Sequence, residues 1–249
     1  MRLQVINSNS AGNAYILESS TGEALLIECG VRFDSIKKAL GFILSKVSGC
    51  ILTHEHGDHA KSITDVMKAG IKVYASKGTH EACNTTYHHR AGILASGKEQ
   101  RIGNFTVMPF DVLHDVKEPL GFLIYHLECG TVLFMTDTKY CEYNFSDIRL
   151  NNIIIEANYC QTIIDRRVAE GVNPKFLRDR VLQSHMSLAT CKQTLATYDL
   201  SAVNNIVLIH LSDGNSHEAR FKKEVQEQTG KVVHVATPGL NIQFNRIPF

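Results

Sequence analysis

The stretch Cys50-Ile51-Leu52-Thr53-His54-Glu55-His56-Gly57-Asp58-His59-Ala60 sets four metal-competent side chains within six residues, directly after an apolar run. Imidazole and carboxylate are the donors that zinc and its first-row neighbours take. A solvated turn has no need of three histidines and an aspartate at that density. His54, His56, Asp58 and His59 are therefore candidate ligands, and this one loop could carry most of a two-metal site. Other apolar runs end in the same way. His114 follows one, Asp137 another, Glu156-Ala157-Asn158 closes a third, and His210 follows a fourth. Polar groups delivered at the carboxyl ends of buried strands occupy the expected site of an α/β sheet.

The elements that must position these residues read as follows. Leu3 to Ile6, Ala14 to Leu17 and Ala24 to Ile27 are strands. The turn from Asn7 to Asn13 is rich in small polar residues; it reads either as a hairpin loop or as hydroxyl, amide and backbone donors at a site edge. Phe33, Ile36, Leu40 and Ile43 recur at helix spacing, with Asp34 or Ser35 as cap. Cys50 to Leu52 is a buried strand, followed by one helix with Ala60, Ile63 and Met67 on its apolar face, stopped by Gly70. Further strands are expected at 71–75, 102–108, 110–113, 121–127, 131–135, 152–155, 203–209, 232–236 and 240–244. Helices are expected at 79–85, 175–182, 188–198 and 216–228, with Ser187 capping the third of these. Tyr87-His88-His89-Arg90 is either a solvated segment or a substrate-facing flap.

Composition narrows the class. The 249 residues suit one domain spanning 1–249, and 44% hydrophobic content supplies a core. Acidic and basic residues nearly cancel (25 against 26), so no long-range field draws the chain to nucleic acid or membrane. The seven cysteines are dispersed and form no C-x-x-C pair, which reads as reduced thiols in a cytoplasmic protein. The apolar start, Met1 to Ile6, is too short for a signal peptide. No run approaches the roughly 20 apolar residues of a membrane span.

The series His54-x-His56-x-Asp58-His59, His114, Asp137, His210 resembles the metallo-β-lactamase fold hydrolases. The resemblance covers nearly the whole chain and implies a four-layer αββα sandwich with metals at one edge. Ser8 to Asn13, His114-Asp115 with Pro119 to Phe122, Ser184-His185-Met186-Ser187 and Ile209 to Ser212 are similar to the YycJ/WalJ-like subfamily, which is associated with exonuclease-type hydrolysis of DNA. Carried over residue by residue, His54, His56 and His114 would hold one metal. Asp58, His59 and His210 would hold the second, and Asp137 would bridge them. Zinc or manganese suits this donor set. The family's Asp-x-Gly segment, whose acid supports the histidine loop, reads here Glu28-Cys29-Gly30, one methylene longer. Thr138-Lys139 replaces a more usual glycine-containing turn.

The resemblance implies a phosphodiesterase. Two metals about 3.5–4 Å apart can clamp an in-line displacement at phosphorus, with a bridging hydroxide as nucleophile. Asp58 would orient that nucleophile, and His185 would protonate the leaving alkoxide. Ser8, Ser10, Asn13, Asn158 and Ser187 could donate hydrogen bonds to the phosphate. The expected substrate is nucleic acid attacked from an end, or a small cyclic nucleotide. A thioester or lactone hydrolase is the other enzymatic reading, and a non-catalytic binding protein a third. Relatives are commonly dimers, so a homodimer is expected.

Overall fold

The computed structural model describes residues 1–247. Its strands run in chain order as β1 (Arg2–Asn9), β2 (Gly12–Glu18), β3 (Ala24–Ile27), β4 (Val47–Ile51), β5 (Val73–Ala75), β6 (Ala91–Ile93), β7 (Gln100–Ile102), β8 (Phe105–Asp111), β9 (Leu120–His126), β10 (Gly130–Met135), β11 (Leu150–Glu156), β12 (Asn205–Ile209), β13 (Val232–Val235) and β14 (Asn241–Gln243). The helices are α1 (Phe33–Ala39), α2 (Gly57–Ala60), α3 (Ile63–Lys68), α4 (Lys77–Ala82), α5 (Gln161–Ala169), α6 (Lys175–Ser184), α7 (Leu188–Ala196) and α8 (Glu218–Thr229). Two seven-stranded mixed sheets form, in the orders β14-β1-β2-β3-β4-β5-β6 and β13-β12-β11-β10-β9-β8-β7.

The period-2 alternation of the strands explains the layering. Leu25 and Ile27 of β3 face inward, to a core shared with Ile154, Phe122, Phe134 and Val207 of the second sheet. Ala24 and Leu26 face outward and pack with Ile36, Ile63, Val66 and Met67 of α1 and α3. Ile153 and Ile155 face the opposite way from Ile154, against Leu188, Leu195, Phe221 and Val225 of α7 and α8. Both faces of the central strands are thus covered, so β11 reads as a continuous apolar run rather than an alternating one. The result is the expected αββα sandwich.

Strand direction places the site. β10, β11 and β12 are parallel to one another. β9 is antiparallel to both β8 and β10, so β8 points the same way as β10. The carboxyl ends of these four strands therefore lie along one edge. In the first sheet β3 and β4 are parallel, and β1 shares their direction through two antiparallel pairings.

Several boundaries depart from the expected ones. α1 stops at Ala39 rather than running to Ile43, because Gly41 and Phe42 adopt φ of 62° and 61°. Neither Asp34 nor Ser35 caps it; Arg32 holds that position without a side-chain bond, and Asp34 pairs with Lys37 at 2.7 Å. The helix expected after Asp58 is two helices, α2 and α3, broken at Ser62. The strand expected over 102–108 is divided by a turn at Gly103, at φ 59°, into β7 and β8. The expected cap Ser187 does accept from the Thr190 backbone N–H, at 3.0 Å. No described helix is long and apolar enough to cross a membrane. All seven cysteines are free.

One close approach fixes the site edge. Gly30 lies against the backbone of the histidine loop so tightly that a Cβ there would meet the Asp58 carbonyl oxygen at 1.7 Å. Cys29 N donates to the His59 carbonyl at 2.8 Å, across the same contact. Gly30→Ala must push the two loops apart. Overpacking of this kind is expected to cost about 3 kcal/mol or more, read as a lower urea midpoint at an unchanged m-value. A midpoint within about 0.5 kcal/mol of the parent would show that the loops have room to separate.

His80 shows what a structural histidine looks like in this fold. It is buried, with Nδ1 2.8 Å from Thr85 Oγ1 and Nε2 3.1 Å from the Gly92 carbonyl oxygen. Burial lowers its pKa below 6.5, although the contacts with carbonyl groups act in the opposite direction. The unfolded chain takes up this proton near pH 6.5, so stability is lost as pH falls below that value. An NMR titration of the His80 ring in the folded protein is expected to give a midpoint under 6.5; a midpoint at or above it would contradict the burial argument.

Candidate metal centre

Five strand ends converge. β4 leads through Leu52 and Thr53 into buried His54, and His56 stands at the start of α2, which carries Asp58 and His59. β8 leads to His114, β10 to Asp137, β11 ends on Glu156, and β12 leads to His210. Glu28, Asp137 and His210 adopt φ of 63°, 47° and 54°. This left-handed conformation is uncommon outside glycine, least so for Asp and His, and costs of order 1–3 kcal/mol. Glu28 and His210 directly follow a strand, and Asp137 stands one residue beyond β10.

The polar atoms meet within short range. Ligand atoms of His54, His56, His114 and Asp137 lie within 4.8 Å of one another, as do those of Asp58, His59, Asp137 and His210. Asp137 belongs to both groups. Its Oδ2 is 3.6 Å from His54 Nε2, 3.7 Å from His114 Nε2 and 3.3 Å from His59 Nε2, and its Oδ1 is 3.5 Å from His210 Nδ1. Asp58 Oδ2 is 3.2 Å from His210 Nε2 and 3.5 Å from His59 Nε2. All seven residues expected from the sequence as metal ligands are thus brought together. A third group, Asp137, Glu156, His185 and His210, is equally close. In it Glu156 Oε2 accepts from the backbone N–H groups of Thr138 and Met186, and Oε1 lies 2.7 Å from His185 Nδ1. Glu156 is already satisfied as a hydrogen-bond acceptor, which marks it as support rather than ligand.

The donor set fits divalent ions. His54 Nε2 is buried without any hydrogen-bond partner and faces Asp137. His56 Nδ1 and His114 Nε2 approach to 3.1 Å. Buried nitrogens left unpartnered are costly, and a shared cation satisfies several at once. Metal-binding histidines usually hold their other nitrogen against a carbonyl, hydroxyl or carboxylate, and that pattern is present. His114 Nδ1 donates to the Ser184 carbonyl at 3.1 Å, and His54 Nδ1 is 2.9 Å from Thr53 Oγ1. His59 Nδ1 lies 3.5 Å from Glu28 Oε2, while Glu28 Oε1 accepts from the Thr53 N–H. The longer acid at Glu28 therefore reaches the histidine loop.

Charge explains the proton distribution. Burial lowers the pKa of His54, and the nearby His59 charge lowers it further. Burial also lowers that of His114, although Asp137 opposes it. On the other side burial is overcome. Asp137 and Glu28 raise His59, Glu156 raises His185, and Asp137 and Asp58 raise His210 to about 10. The buried carboxylates of Asp137 and Glu156 are correspondingly held below their usual range in spite of burial, by His210 and His59 and by His185 respectively. Asp58, Asp137 and Glu156 are thus favoured as carboxylates by the rings beside them, whereas burial raises the pKa of Glu28 although His59 opposes it.

A cavity of about 510 Å³ opens onto the cluster, lined on the metal side by His56, Asp58, His114, Asp137 and His210. His185 and Asn158 also line it, as does Ser10. Ser8, Asn13 and Ser187, also expected as substrate contacts, do not line it. The Ser8 hydroxyl accepts from His210 N–H and bonds Tyr15, Asn13 Nδ2 donates to the Asp58 carbonyl, and Ser187 caps α7. Their polar groups are used up holding the loops. Asn158 is shared: it lines the cavity while Nδ2 donates to the His210 carbonyl at 2.8 Å. Tyr87 to Arg90 lies beside edge strand β6 and takes no part in the cavity. Sequence reasoning noted Glu156 at the end of an apolar strand but gave it no role. It also missed the wall formed by Leu177, Arg180, Val181 and Ser184 of α6, which carries no ligand-type residue.

Comparison with known proteins agrees with this geometry. Residues 25–211 match the family model described as the beta-lactamase superfamily domain. The chain is 28% identical over 250 residues to the exodeoxyribonuclease YycJ of Bacillus anthracis, covering 92% of this chain and 90% of that one. A shorter similarity, 35% over 72 residues, links 26% of this chain to 28% of the anti-Pycsar protein Apyc1 of Bacillus phage 010DV004. Among solved structures, the metallo-β-lactamase fold protein YhfI of Bacillus subtilis superimposes with a TM-score of 0.75 at 19% identity, over 97% of this chain and 99% of that one. The family match over most of the chain, the paired sheets and the converging histidines and acids make this protein a member of the β-lactamase superfamily, a metallo-β-lactamase fold hydrolase.

Proposed function

We propose that the chain is a binuclear metal-dependent phosphodiesterase that hydrolyses nucleic acid from an end, with zinc or manganese as the metal. The observation that carries this reading is His185 on the wall of the cavity that exposes the candidate ligands, its Nδ1 2.7 Å from the buried Glu156 Oε1. A thioester, whose thiolate departs readily, needs no such proton donor. An alkoxide leaving from phosphorus does.

His54, His56 and His114 would hold one ion, Asp58, His59 and His210 the other, and Asp137 both. Such ions acidify a water and neutralise charge on the phosphoryl oxygens. The chain's own residues supply the rest. Asp58, partly exposed to the cavity, accepts a hydrogen bond that orients the attacking water. His185 carries its proton because the Glu156 carboxylate favours the charged ring, and it donates that proton to the departing oxygen. Asn158 and Ser10 donate to the phosphate from the cavity wall. The relative named an exodeoxyribonuclease, similar over nearly the whole chain, supports a DNA substrate. The second reading is a cyclic-nucleotide phosphodiesterase, favoured by the small cavity and by the partial likeness to the anti-Pycsar protein.

After reconstitution with zinc or manganese, the chain is expected to bind two ions and to turn over bis(p-nitrophenyl) phosphate faster than a thioester or a lactone. Faster turnover of either carbon ester would sink the phosphodiesterase reading. His185→Ala is expected to lower kcat roughly 10²–10⁴-fold on a nucleotide phosphodiester. The loss should be much smaller on the p-nitrophenyl ester, whose leaving group departs without a proton. Equal losses on both substrates would mean that His185 positions the site instead of donating.

A further inference from the structure

Helix α6 contributes little to the core. Of its ten residues only Ser184 is buried. Phe176 is 75% exposed and Leu177 39%. A helix of this length has little stability of its own in water, and exposed large apolar side chains beside a site mark a contact surface. Spacing sorts its residues. Leu177, Arg180, Val181 and Ser184 stand at i, i+3, i+4 and i+7 on one face, and all four line the cavity. The carbonyl of Ser184 accepts from His114 Nδ1, so the carboxyl end of the helix abuts the metal ligands. At 1.5 Å per residue, Arg180 stands about 6 Å and Phe176 about 12 Å back along the axis.

Charge is placed along the same line. Arg180 is the one lysine or arginine among the residues lining the cavity. Its neighbour Arg178 is neutralised by Asp165 at 2.8 Å and Asp179 at 2.9 Å. Arg180 enters no ion pair among the described residues, and its side chain is exposed. A free guanidinium one turn from the metal ligands, followed one turn later by an exposed aromatic ring, is the pairing that single-stranded nucleic acid uses: phosphate on a cation, base on a ring.

Resting on the phosphodiesterase reading, we propose that this face of α6 is a track for a single strand whose end enters the cavity. Arg180 binds the phosphate next to the scissile one, Leu177 and Val181 pack under the sugar, and Phe176 stacks on the following base. The substrate is then a strand of at least three nucleotides, and a lone cyclic nucleotide leaves Phe176 unused.

The test is the equilibrium binding of a fluorescein-labelled, phosphorothioate-linked oligothymidylate tetramer to the zinc-loaded chain, followed by anisotropy across a salt series. Removing one phosphate contact to a single strand lowers the slope of log Kd against log salt by about 0.7. Arg180→Gln is expected to show that drop together with roughly tenfold weaker binding, and Arg180→Lys to restore the slope. Phe176→Ser is expected to weaken binding roughly tenfold at an unchanged slope, because stacking carries no charge. Arg166→Ala removes an exposed arginine of α5, paired with Glu170 at 3.8 Å, and should change neither quantity. Light scattering during gel filtration reports the size of each variant. An unchanged slope for Arg180→Gln overturns the track. So does a Phe176→Ser chain that changes its oligomeric state while binding the tetramer normally, since the stripe is then a contact between copies. Both results are separate from wild-type turnover of bis(p-nitrophenyl) phosphate, whose absence would overturn the underlying reading.

Discussion

Asp137 is a carboxylate sealed between two sheets, and the rest of the site is arranged around making that tolerable. A buried charge without compensation costs several kcal/mol or more. Here His54, His59, His114 and His210 all bring a nitrogen within 3.7 Å of its oxygens. Each of those histidines is held from behind by a hydroxyl, a carbonyl, an amide or an acid. Behind His59 stands Glu28, and beside His210 stand Asn158 and Glu156. Removing any supporting group would leave a ring free to turn and Asp137 with fewer counter-charges.

Strand direction makes this convergence possible. Four strands of the second sheet end on one edge, each delivering one or two polar residues, and the first sheet brings its histidine loop to the same edge. Because the sheets are packed through interlocking apolar side chains, the spacing between the two sets of ligands is set by the core and not by the loops. Gly30 belongs to that arrangement: without a side chain, it lets the Glu28 turn lie directly on the backbone of Asp58.

The cavity has two unlike walls. The side that carries the candidate ligands is buried and built from strand ends. The opposite side is a helix with one buried residue, carrying an arginine and an exposed ring. Helices that contribute little to the core can vary in sequence at small cost to stability. A wall of that kind suits the choice among substrates, whereas the strand-end wall suits the shared chemistry of the superfamily.

The candidate ligands of the histidine loop could be read from the sequence, because three histidines and an aspartate packed behind one apolar run serve no purpose in a solvated turn; the family resemblance added His114, Asp137 and His210 to them. So could the layers: alternation in β3 and continuous apolar runs such as Ile153 to Ile155 predict strands covered on both faces. Local signals failed where the outcome depended on backbone angles or on neighbours distant in sequence. α1 ends early because Gly41 and Phe42 turn left-handed. Ser8, Asn13 and Ser187 have the chemistry of phosphate contacts, yet His210, Asp58 and α7 occupy their hydrogen bonds. Glu156 looks like the end of a strand until His185 arrives beside it from 29 residues away. The sequence by itself therefore determined which residues could bind metal and which strands would carry them. Only the tertiary structure decided which polar groups face the cavity and which support the ligands, because a hydrogen bond between distant segments leaves no mark on the spacing of either.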